Sequence, residues 1–265
     1  MERHPVILSI AGSDCSGGAG IQADIKTISA LGGYAASAIT AVTVQNTLGV
    51  RAVHAIPPEI VCGQIEAVME DLQPVAVKIG MVSDKELIKV IAEKLKEYKP
   101  KNIVLDTVMV ATSGSPLLKP DSVNALIEEL IPLATVITPN IPEAEVLGNC
   151  KIECEKDLKD TAIALYEKYG CNVLVKGGHL NDTATDILCC NGEITEFKGE
   201  RIDNNNTHGT GCTLSSAIAC NLAKGLDLPD AIRNSKEYLV GALKYNLNIG
   251  KGNGPLNHCY KIMED

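Results

Sequence analysis

The sequence has no tryptophan and one phenylalanine, and it contains no cluster of lysine and arginine and no interleaving of basic with aromatic residues. Its formal charge is −9, from 24 basic and 33 acidic residues. These absences disfavour a nucleic-acid or membrane-surface role. No apolar run is long enough to cross a bilayer, and Met1–Pro5 leads into a strand-like segment without a signal-peptide pattern. We therefore expect a cytoplasmic protein with neither a nucleic-acid nor a membrane partner.

The sequence also lacks the cysteine spacing of a zinc finger or a disulfide framework, although it contains ten cysteines. Cys150 and Cys154, or the adjacent Cys189 and Cys190, have no second pair at finger-like spacing. The cysteines are spread over a long chain with no export signal, which predicts reduced thiols.

Short apolar runs alternate with amphipathic stretches, which predicts an α/β fold with a mostly parallel sheet wrapped by helices. The length of 265 residues suits one large domain over 1–265. Predicted strands cover 5–11, 35–44, 50–56, 75–79, 102–106, 134–138, 172–176, 185–190 and 194–198. Predicted helices cover 19–31, 58–72, 84–98, 120–130, 156–169, 212–224 and 229–247. Two strand pairs lack an intervening helix and are expected to be hairpins that edge the sheet or cover a site.

The residues that follow the predicted strands are chemically unusual. Ligands collect beyond the carboxyl ends of strands in an open α/β sheet, so we expect the functional site there. The segments concerned are Gly12 to Gly20, Gly80-Met81, Asp106-Thr107, Pro139-Asn140 with Glu143, and Lys176-Gly177-Gly178.

The first of these loops fits a loose dinucleotide fingerprint, G-x-G-x-x-A, from Gly18 to Ala23. That fingerprint also requires an acidic residue about twenty positions further on, and residues 34–50 contain none. No G-x-x-x-x-G-K-[ST] loop occurs either. A dehydrogenase and a Walker-type NTPase are therefore disfavoured, and a flexible strand-to-helix turn explains this loop equally well when it is taken alone.

A second glycine loop, from Asn206 to Thr213, opens directly into an apolar helix. Bare backbone N–H groups at a helix N-terminus bind anions, as phosphoryl transfer requires. The same field is expected to lower the pKa of the Cys212 thiol, making Cys212 a candidate base for a substrate hydroxyl. A small packed residue is an equally good interpretation of Cys212. His208 could bind phosphate, although a hydrogen-bonded structural histidine is the favoured interpretation.

Several motifs together resemble the hydroxymethylpyrimidine/phosphomethylpyrimidine kinases of thiamin biosynthesis, in the ribokinase superfamily. The resemblance extends over essentially the whole chain and implies a ribokinase-like three-layer α/β/α sandwich. Its motifs are Ile10-Ala11-Gly12-Ser13-Asp14, Ser16 to Asp24, Thr40-Ala41, Gln45-Asn46-Thr47, Lys78-Ile79-Gly80-Met81, Leu105 to Met109, Thr138-Pro139-Asn140, Glu143-Ala144, Val175 to His179, Asn206 to Thr213, and Gly250 to His258.

The resemblance implies three groups of site residues. The pyrimidine substrate would contact Gly12, Asp24, Gln45, Met81 and Val108. ATP would be bound by Asp106, Asn140, Glu143, Lys176 and Thr210, with Mg²⁺ held by Asp106 and Glu143, in part through water. The catalytic loop would be Gly209, Thr210, Gly211 and Cys212. Without the resemblance, Met81 and Val108 would be assigned to the core, and Gln45 to a loop cap. Asp106 and Glu143 would be assigned to helix N-termini, and Lys176 to a solvated strand end.

The implied activity is in-line transfer of the γ-phosphoryl group of ATP to a pyrimidine hydroxymethyl group, and then to the monophosphate. The alcohol proton would pass to Cys212, which stands where sugar kinases of the superfamily have an aspartate. Cys15 stands where many relatives have proline, and we expect it to loosen the first loop. The resemblance also implies a homodimer, and because the given sequence ends at Asp265 we expect no fused thiamin domain. The alternatives are a kinase of pyridoxal, pyridoxine or pyridoxamine, and a non-catalytic pyrimidine-binding protein.

Overall fold

The computed structural model describes residues 4–109, 120–178, 184–199, 202 and 204–262. One nine-stranded sheet runs through these residues in the order β3-β2-β1-β4-β5-β6-β7-β8-β9. The strands are β1 (Val6–Asp14), β2 (Tyr34–Asn46), β3 (Gly49–Ala55), β4 (Ala76–Ile79), β5 (Asn102–Leu105), β6 (Val136–Ile137), β7 (Asn172–Val175), β8 (Asp186–Cys190) and β9 (Glu193–Phe197).

The six central strands of the sheet are parallel, namely β2, β1, β4, β5, β6 and β7. An antiparallel hairpin closes each edge of the sheet. These hairpins, β2–β3 and β8–β9, are the two strand pairs that the sequence predicted. Parallel strands bring all their carboxyl ends to one edge of the sheet, which is where the unusual residues of the sequence therefore meet.

Helices cover both faces of the sheet. They are α1 (Gly20–Ala30), α2 (Pro58–Asp71), α3 (Lys85–Tyr98), α4 (Pro120–Ala125), α5 (Ile141–Gly148), α6 (Glu155–Tyr169), α7 (Thr210–Ala223) and α8 (Leu228–Lys244). A π-helical turn (Leu126–Leu130) and a 3-10 turn (Ile131–Leu133) continue α4, and a further 3-10 turn covers Tyr260–Ile262. No helix of the described ranges is long and apolar enough to span a membrane.

Two hydrophobic cores lie on opposite faces of the sheet, because successive residues of a strand point to opposite sides. Leu8 of β1 packs in the core beneath α2 to α6, whereas the adjacent Ile7 packs in the core beneath α1, α7 and α8. The expected three-layer α/β/α sandwich is therefore confirmed.

Helix α3 illustrates how the sequence sets these layers. Asp84 caps its N-terminus by accepting a hydrogen bond from the Leu87 amide (3.1 Å), and Lys99 ends it in the left-handed conformation. Its buried positions share one face with helical spacing, so that face packs on the sheet: Leu87, Ile88, Ile91, Ala92 and Leu95.

Helix α7 differs, because every residue from Thr213 to Leu222 is buried. It packs against β1, β4 and β5, at the centre of the sheet. Its N-terminus therefore lies over the carboxyl ends of the central strands.

Two sequence predictions were inaccurate. Helix α5 was missed, because eight residues beginning at Ile141-Pro142 give too short a periodic pattern. Strand β6 comprises only Val136–Ile137, whereas the prediction extended over 134–138.

Candidate active site

The two glycine loops pack backbone against backbone. Gly209 has φ +86°, and a Cβ added there would lie 1.9 Å from the carbonyl oxygen of Gly18. Only glycine combines this left-handed conformation with so close an approach. His208 and Asp14 join the same loops, with Nε2 and Oδ2 2.8 Å apart. The first loop and the start of α7 thus form one structure.

The first turn of α7 presents free backbone donors. The amide and hydroxyl of Thr213 both donate to the Gly209 carbonyl, at 2.9 and 2.8 Å, and the Thr210 amide donates to Thr207 at 3.3 Å. Within the described part of the chain, the amides of Gly211 and Cys212 have no acceptor. Two free N–H groups and the positive end of the helix dipole make an anion-binding site. We call residues 209–212 the amide cradle.

A buried ion pair lies beside the amide cradle. Lys176 Nζ is 3.0 Å from Asp106 Oδ1, and Asp106 also accepts from Thr138 (3.1 Å) and Ser215 (3.3 Å). A Cβ added at Gly211 would lie 3.4 Å from Asp106 Oδ2 and 3.5 Å from Lys176 Nζ. Gly211 is therefore adjacent to the ion pair, with room for about one methyl group between them.

Opposing effects determine the charge of this pair. Burial raises the pKa of Asp106, but the ammonium groups of Lys176 and Lys78 outweigh burial and hold that pKa below its ordinary value. Burial lowers the pKa of Lys176, but Asp106 and Glu143 outweigh it and raise that pKa. Both groups therefore carry their charge at neutral pH.

Asn140 and Glu143 form the capping box of the missed helix α5. The Asn140 side chain accepts from the Glu143 amide (2.9 Å), and the Glu143 carboxylate accepts from the Asn140 amide (3.0 Å). Glu143 also accepts from Thr107 (3.0 Å) and from the Met109 amide (3.3 Å). Burial raises the pKa of Glu143, and Lys176 opposes this effect. The cap places Glu143 in the electrostatic field of Lys176 and Asp106.

The carboxylates in this region suit a metal ion that binds together with a nucleotide. Among the described residues, no group of three or more His, Cys, Asp or Glu could hold a metal ion by itself. Mg²⁺ commonly uses one or two carboxylates, several waters and the phosphates of a nucleotide. Asp106 and Glu143 supply two carboxylates near the amide cradle, which suits that mode of binding.

The predicted lowering of the Cys212 pKa is wrong. Burial raises the pKa of this thiol to about 11, and the opposing effects of Lys78 and the Gly20 amide do not compensate. The carboxylates of Asp24 and Asp106 reinforce the rise. Sequence position alone revealed the helix terminus, whereas the low-dielectric surroundings of the thiol depend on the fold.

Gly12 and Met81 are brought together at the ends of β1 and β4. A Cβ added at Gly12 would lie 3.2 Å from Met81 Sδ, and the Met81 carbonyl accepts from the Thr40 hydroxyl (2.7 Å). Val108 follows Asp106 and is half-buried, as is Met81. Both side chains therefore keep part of their apolar surface accessible.

Gln45 lies at the end of β2 and is tied to the first glycine loop. The Cys15 thiol donates to the Gln45 carbonyl (3.1 Å) and accepts from the Gln45 amide (3.3 Å). The Gln45 side-chain nitrogen is 3.3 Å from His208 Nε2. Cys15 thus anchors the loop, where we had expected it to loosen the loop.

Asp24 lies in the interior of the protein, where protein groups bind its carboxylate. It is fully buried, and its oxygens are occupied by Lys78 (2.9 Å to each), Ser9 (2.5 Å) and Ser216 (2.7 Å). We assign Asp24 to the support of the site, because a direct ligand contact would require breaking one of these bonds.

Lys78 is the buried charge near the site that sequence reasoning missed, since it was noted only as part of a motif. Burial lowers its pKa, but Asp24, Cys212 and Asp106 outweigh burial and raise it. A lysine within the otherwise apolar strand Ala76–Ile79 was an available signal, because buried lysines are almost always paired. His179, the last residue of the motif after β7, lies outside the described residues.

Comparison with known proteins points to one family. Residues 14–257 match the family model described as phosphomethylpyrimidine kinase. A hydroxymethylpyrimidine/phosphomethylpyrimidine kinase of Rhizobium meliloti is 50% identical over 264 residues, with 98% of this chain and 99% of the relative covered.

Two solved structures are similar along most of the chain. The phosphomethylpyrimidine kinase of Clostridium difficile has a TM-score of 0.81 and 50% identity, with 89% of this chain and 98% of that chain covered. The pyridoxal kinase of Bacillus subtilis, in an ADP complex, has a TM-score of 0.91 and 34% identity, with 98% and 100% covered. By name, all these relatives are kinases.

Proposed function

The chain belongs to the phosphomethylpyrimidine kinase family, and we propose that it transfers the γ-phosphoryl group of ATP to 4-amino-5-hydroxymethyl-2-methylpyrimidine (HMP). The enzyme is a phosphotransferase with an alcohol as its first acceptor. The phosphate of the product is its second acceptor, so the diphosphate needed for thiamin biosynthesis follows.

One observation supports this proposal most strongly: the helix turn that carries the free amides of Gly211 and Cys212 is adjacent, at Gly211, to the Asp106–Lys176 ion pair. Phosphoryl transfer depends mainly on positioning and on stabilising negative charge at the transferring group. Amide donors, a helix dipole and an ammonium group, all directed to one place, provide that stabilisation.

ATP is bound at the carboxyl ends of β5, β6 and β7. Lys176, Thr210 and the free amide of Gly211 contact its phosphates, and Asn140 supports the same side of the site. Asp106 and Glu143 would hold Mg²⁺, in part through water, and the metal would neutralise phosphate charge.

The pyrimidine binds where β1, β2 and β4 end. Met81 and Val108 contact the faces of the ring, Gly12 leaves room for it, and the Gln45 amide pairs with its polar edge. Lys78 and Asp24 support this pocket from below.

Cys212 accepts the proton of the attacking hydroxyl, and Gly209 holds the turn that places it. Because the thiol pKa is about 11, roughly 10⁻⁴ of the molecules carry a thiolate at pH 7. The transition state of phosphoryl transfer is loose, so the alcohol proton leaves late in the reaction, and the Cys212 sulfur accepts it as the new P–O bond forms.

The direct test compares the wild type with Cys212→Ala in an ATP-coupled assay with HMP. We expect the variant to lose most of its kcat while its affinity for ATP stays within about twofold. Cys62→Ala, at a half-buried cysteine on α2 outside the site, is the matched control. Unchanged turnover in Cys212→Ala would remove Cys212 from the mechanism.

A pyridoxal kinase activity is the second candidate, because the B. subtilis pyridoxal kinase matches the fold over 98% of this chain. Vitamin B6 alcohols also carry a hydroxymethyl group on a nitrogen heterocycle. Measuring kcat/KM for HMP, pyridoxal, pyridoxine and pyridoxamine would rank the two activities, and we expect HMP to give the highest value.

Three further properties belong to the proposal. The continuous sheet supports one kinase domain over 1–265. Ten free cysteines suit the reducing cytoplasm. Exposed Val42 and Val44, on one face of strand β2, offer an apolar surface for a homodimer, which light scattering would test.

A further inference from the structure

His208 is held between the two glycine loops with its ring fixed in place. Nε2 lies 2.8 Å from Asp14 Oδ2 and 3.3 Å from Gln45 Nε2. A Cβ added at Gly18 would lie 2.3 Å from the His208 ring, and Pro255 packs against the same glycine. The ring therefore has little freedom to turn away from these two partners.

Asp14 determines where the His208 ring carries a hydrogen. Its carboxylate accepts from the Ser16 amide (2.9 Å), the Ser16 hydroxyl (2.7 Å), the Gly18 amide (3.2 Å) and the Ala19 amide (2.9 Å). Burial raises the pKa of Asp14, but the bonds from His208 and Ser16 outweigh it and lower the pKa to about 2. An ionised carboxylate only accepts, so Nε2 of His208 must carry a hydrogen and donate it.

That hydrogen determines the orientation of the Gln45 amide. An N–H of His208 cannot pair with the amide nitrogen of Gln45, because both groups are donors. A half-turn about the Cγ–Cδ bond of Gln45 exchanges its oxygen and nitrogen with almost no change in shape. The oxygen then faces His208 and shares the single Nε2 hydrogen with Asp14, which is the nearer acceptor.

Thr43 accommodates the same orientation. Its Oγ1 lies 3.0 Å from the Ser13 carbonyl and 3.1 Å from the Gln45 amide group. Thr43 has one hydroxyl hydrogen, and the Ser13 carbonyl can only accept it. Giving that hydrogen to the Ser13 carbonyl leaves the hydroxyl as an acceptor for Gln45, and the amide orientation that suits His208 then places the Gln45 nitrogen at Thr43.

We propose that His208, held by Asp14, is a positioning residue that fixes the Gln45 amide with its oxygen toward His208. One hydrogen of the Gln45 NH₂ group then goes to Thr43, and the second is left for a ligand. The ligand atom that pairs with it is an acceptor, such as a ring nitrogen of a pyrimidine. This assignment depends on the proposed function, which places Gln45 in the pyrimidine pocket.

The first part of the test needs no substrate. Long-range ¹⁵N NMR of the imidazole in the free protein is expected to show a hydrogen on Nε2 of His208. The His208→Leu spectrum provides the resonance assignment. A bare Nε2 would overturn the inference, whatever the enzyme phosphorylates.

The second part measures KM and kcat for HMP and for ATP. We expect His208→Leu to raise KM for HMP by about 3- to 10-fold, the effect of one hydrogen bond. KM for ATP should change by less than about twofold. His208→Gln keeps an N–H donor near the position of Nε2 and should recover most of the loss, whereas His54→Leu, at an exposed position on β3, should have no effect. Equal losses in the Leu and Gln variants, or equal effects on HMP and ATP, would indicate a merely structural role and refute the inference.

Analogues of HMP with either ring nitrogen replaced by C–H identify the paired atom. One analogue should bind the wild type more weakly than HMP does, and His208→Leu should no longer distinguish it from HMP. If both enzymes discriminate equally, His208 does not orient the recognition of the ring. If the wild type turns over no HMP, the proposed function fails, and the NMR result still decides whether His208 orients Gln45.

Discussion

Replacing Lys78 with methionine should destabilise the fold strongly. Both side chains of the Lys78–Asp24 pair are fully buried, and the ammonium lies 2.9 Å from each carboxylate oxygen. Removing one partner of a buried ion pair typically costs about 3–5 kcal/mol, because the remaining charge has no counterion. Ser9 and Ser216 still donate to Asp24, so we expect a loss near the lower limit, about 3 kcal/mol. In a chain of this size that corresponds to a fall in Tm of roughly 6–12 °C.

Urea unfolding of four proteins tests the magnitude: the wild type, Lys78→Met, Asp24→Leu, and the double variant. Replacing both charges with apolar side chains leaves no buried charge, so the double variant should lose much less than the sum of the single losses. Lys94→Met, at a surface ion pair with Glu66 and Glu97, is the matched control and should change stability little. The reasoning fails if Lys78→Met loses no more than Lys94→Met, or if the single losses simply add.

Three other predictions concern the site itself. Because the pKa of Cys212 is about 11, the kcat of the wild type should rise with pH between 7 and 10. The kcat of Cys212→Ala should show no such rise. A flat wild-type profile would contradict the role of the thiolate. The pKa of Asp14 is lowered from 3.8 to about 2, so its stabilisation is complete above pH 4 and is lost as the pH falls toward 2. Between pH 4 and pH 2, the free energy of unfolding of Asp14→Asn should therefore fall by about 2 kcal/mol less than that of the wild type. The same fall in both proteins would contradict the assignment. Gly211→Ala should fold, since its Cβ meets no atom closer than 3.4 Å, but its kcat/KM for ATP should fall about 10-fold or more. Gly209→Ala should fail to fold normally, because its Cβ would meet the Gly18 carbonyl oxygen. Full activity in soluble Gly211→Ala would count against the cradle.

Most of the fold could be predicted because it follows from local periodicity. The alternation of apolar runs with amphipathic stretches set the order of strands and helices, and helix α3 has the expected cap and apolar face. Helix α5 was missed because its eight residues give too short a periodic pattern, although Glu143 had also been considered as a helix N-terminal carboxylate. In the structure Asn140 and Glu143 form the capping box, so a residue proposed for ATP binding also begins a helix.

The site could be predicted in part, because the carboxyl ends of parallel strands meet whatever their spacing in the sequence. This rule placed Asp106 and Lys176 near each other, and the structure joins them at 3.0 Å. It could not reveal that Lys78 and Asp24 pair beneath the cradle, since their contact depends on how β4 and α1 pack. For the same reason it gave the wrong direction for the Cys212 pKa, which burial controls.

The most direct test of the amide cradle is a crystal structure with HMP and a non-hydrolysable ATP analogue. The cradle is expected to hold the γ-phosphate through the amides of Gly211 and Cys212, with the HMP hydroxymethyl oxygen between Cys212 Sγ and the γ-phosphorus. A γ-phosphate bound away from both amides, or an acceptor alcohol on the far side of α7, would contradict the account.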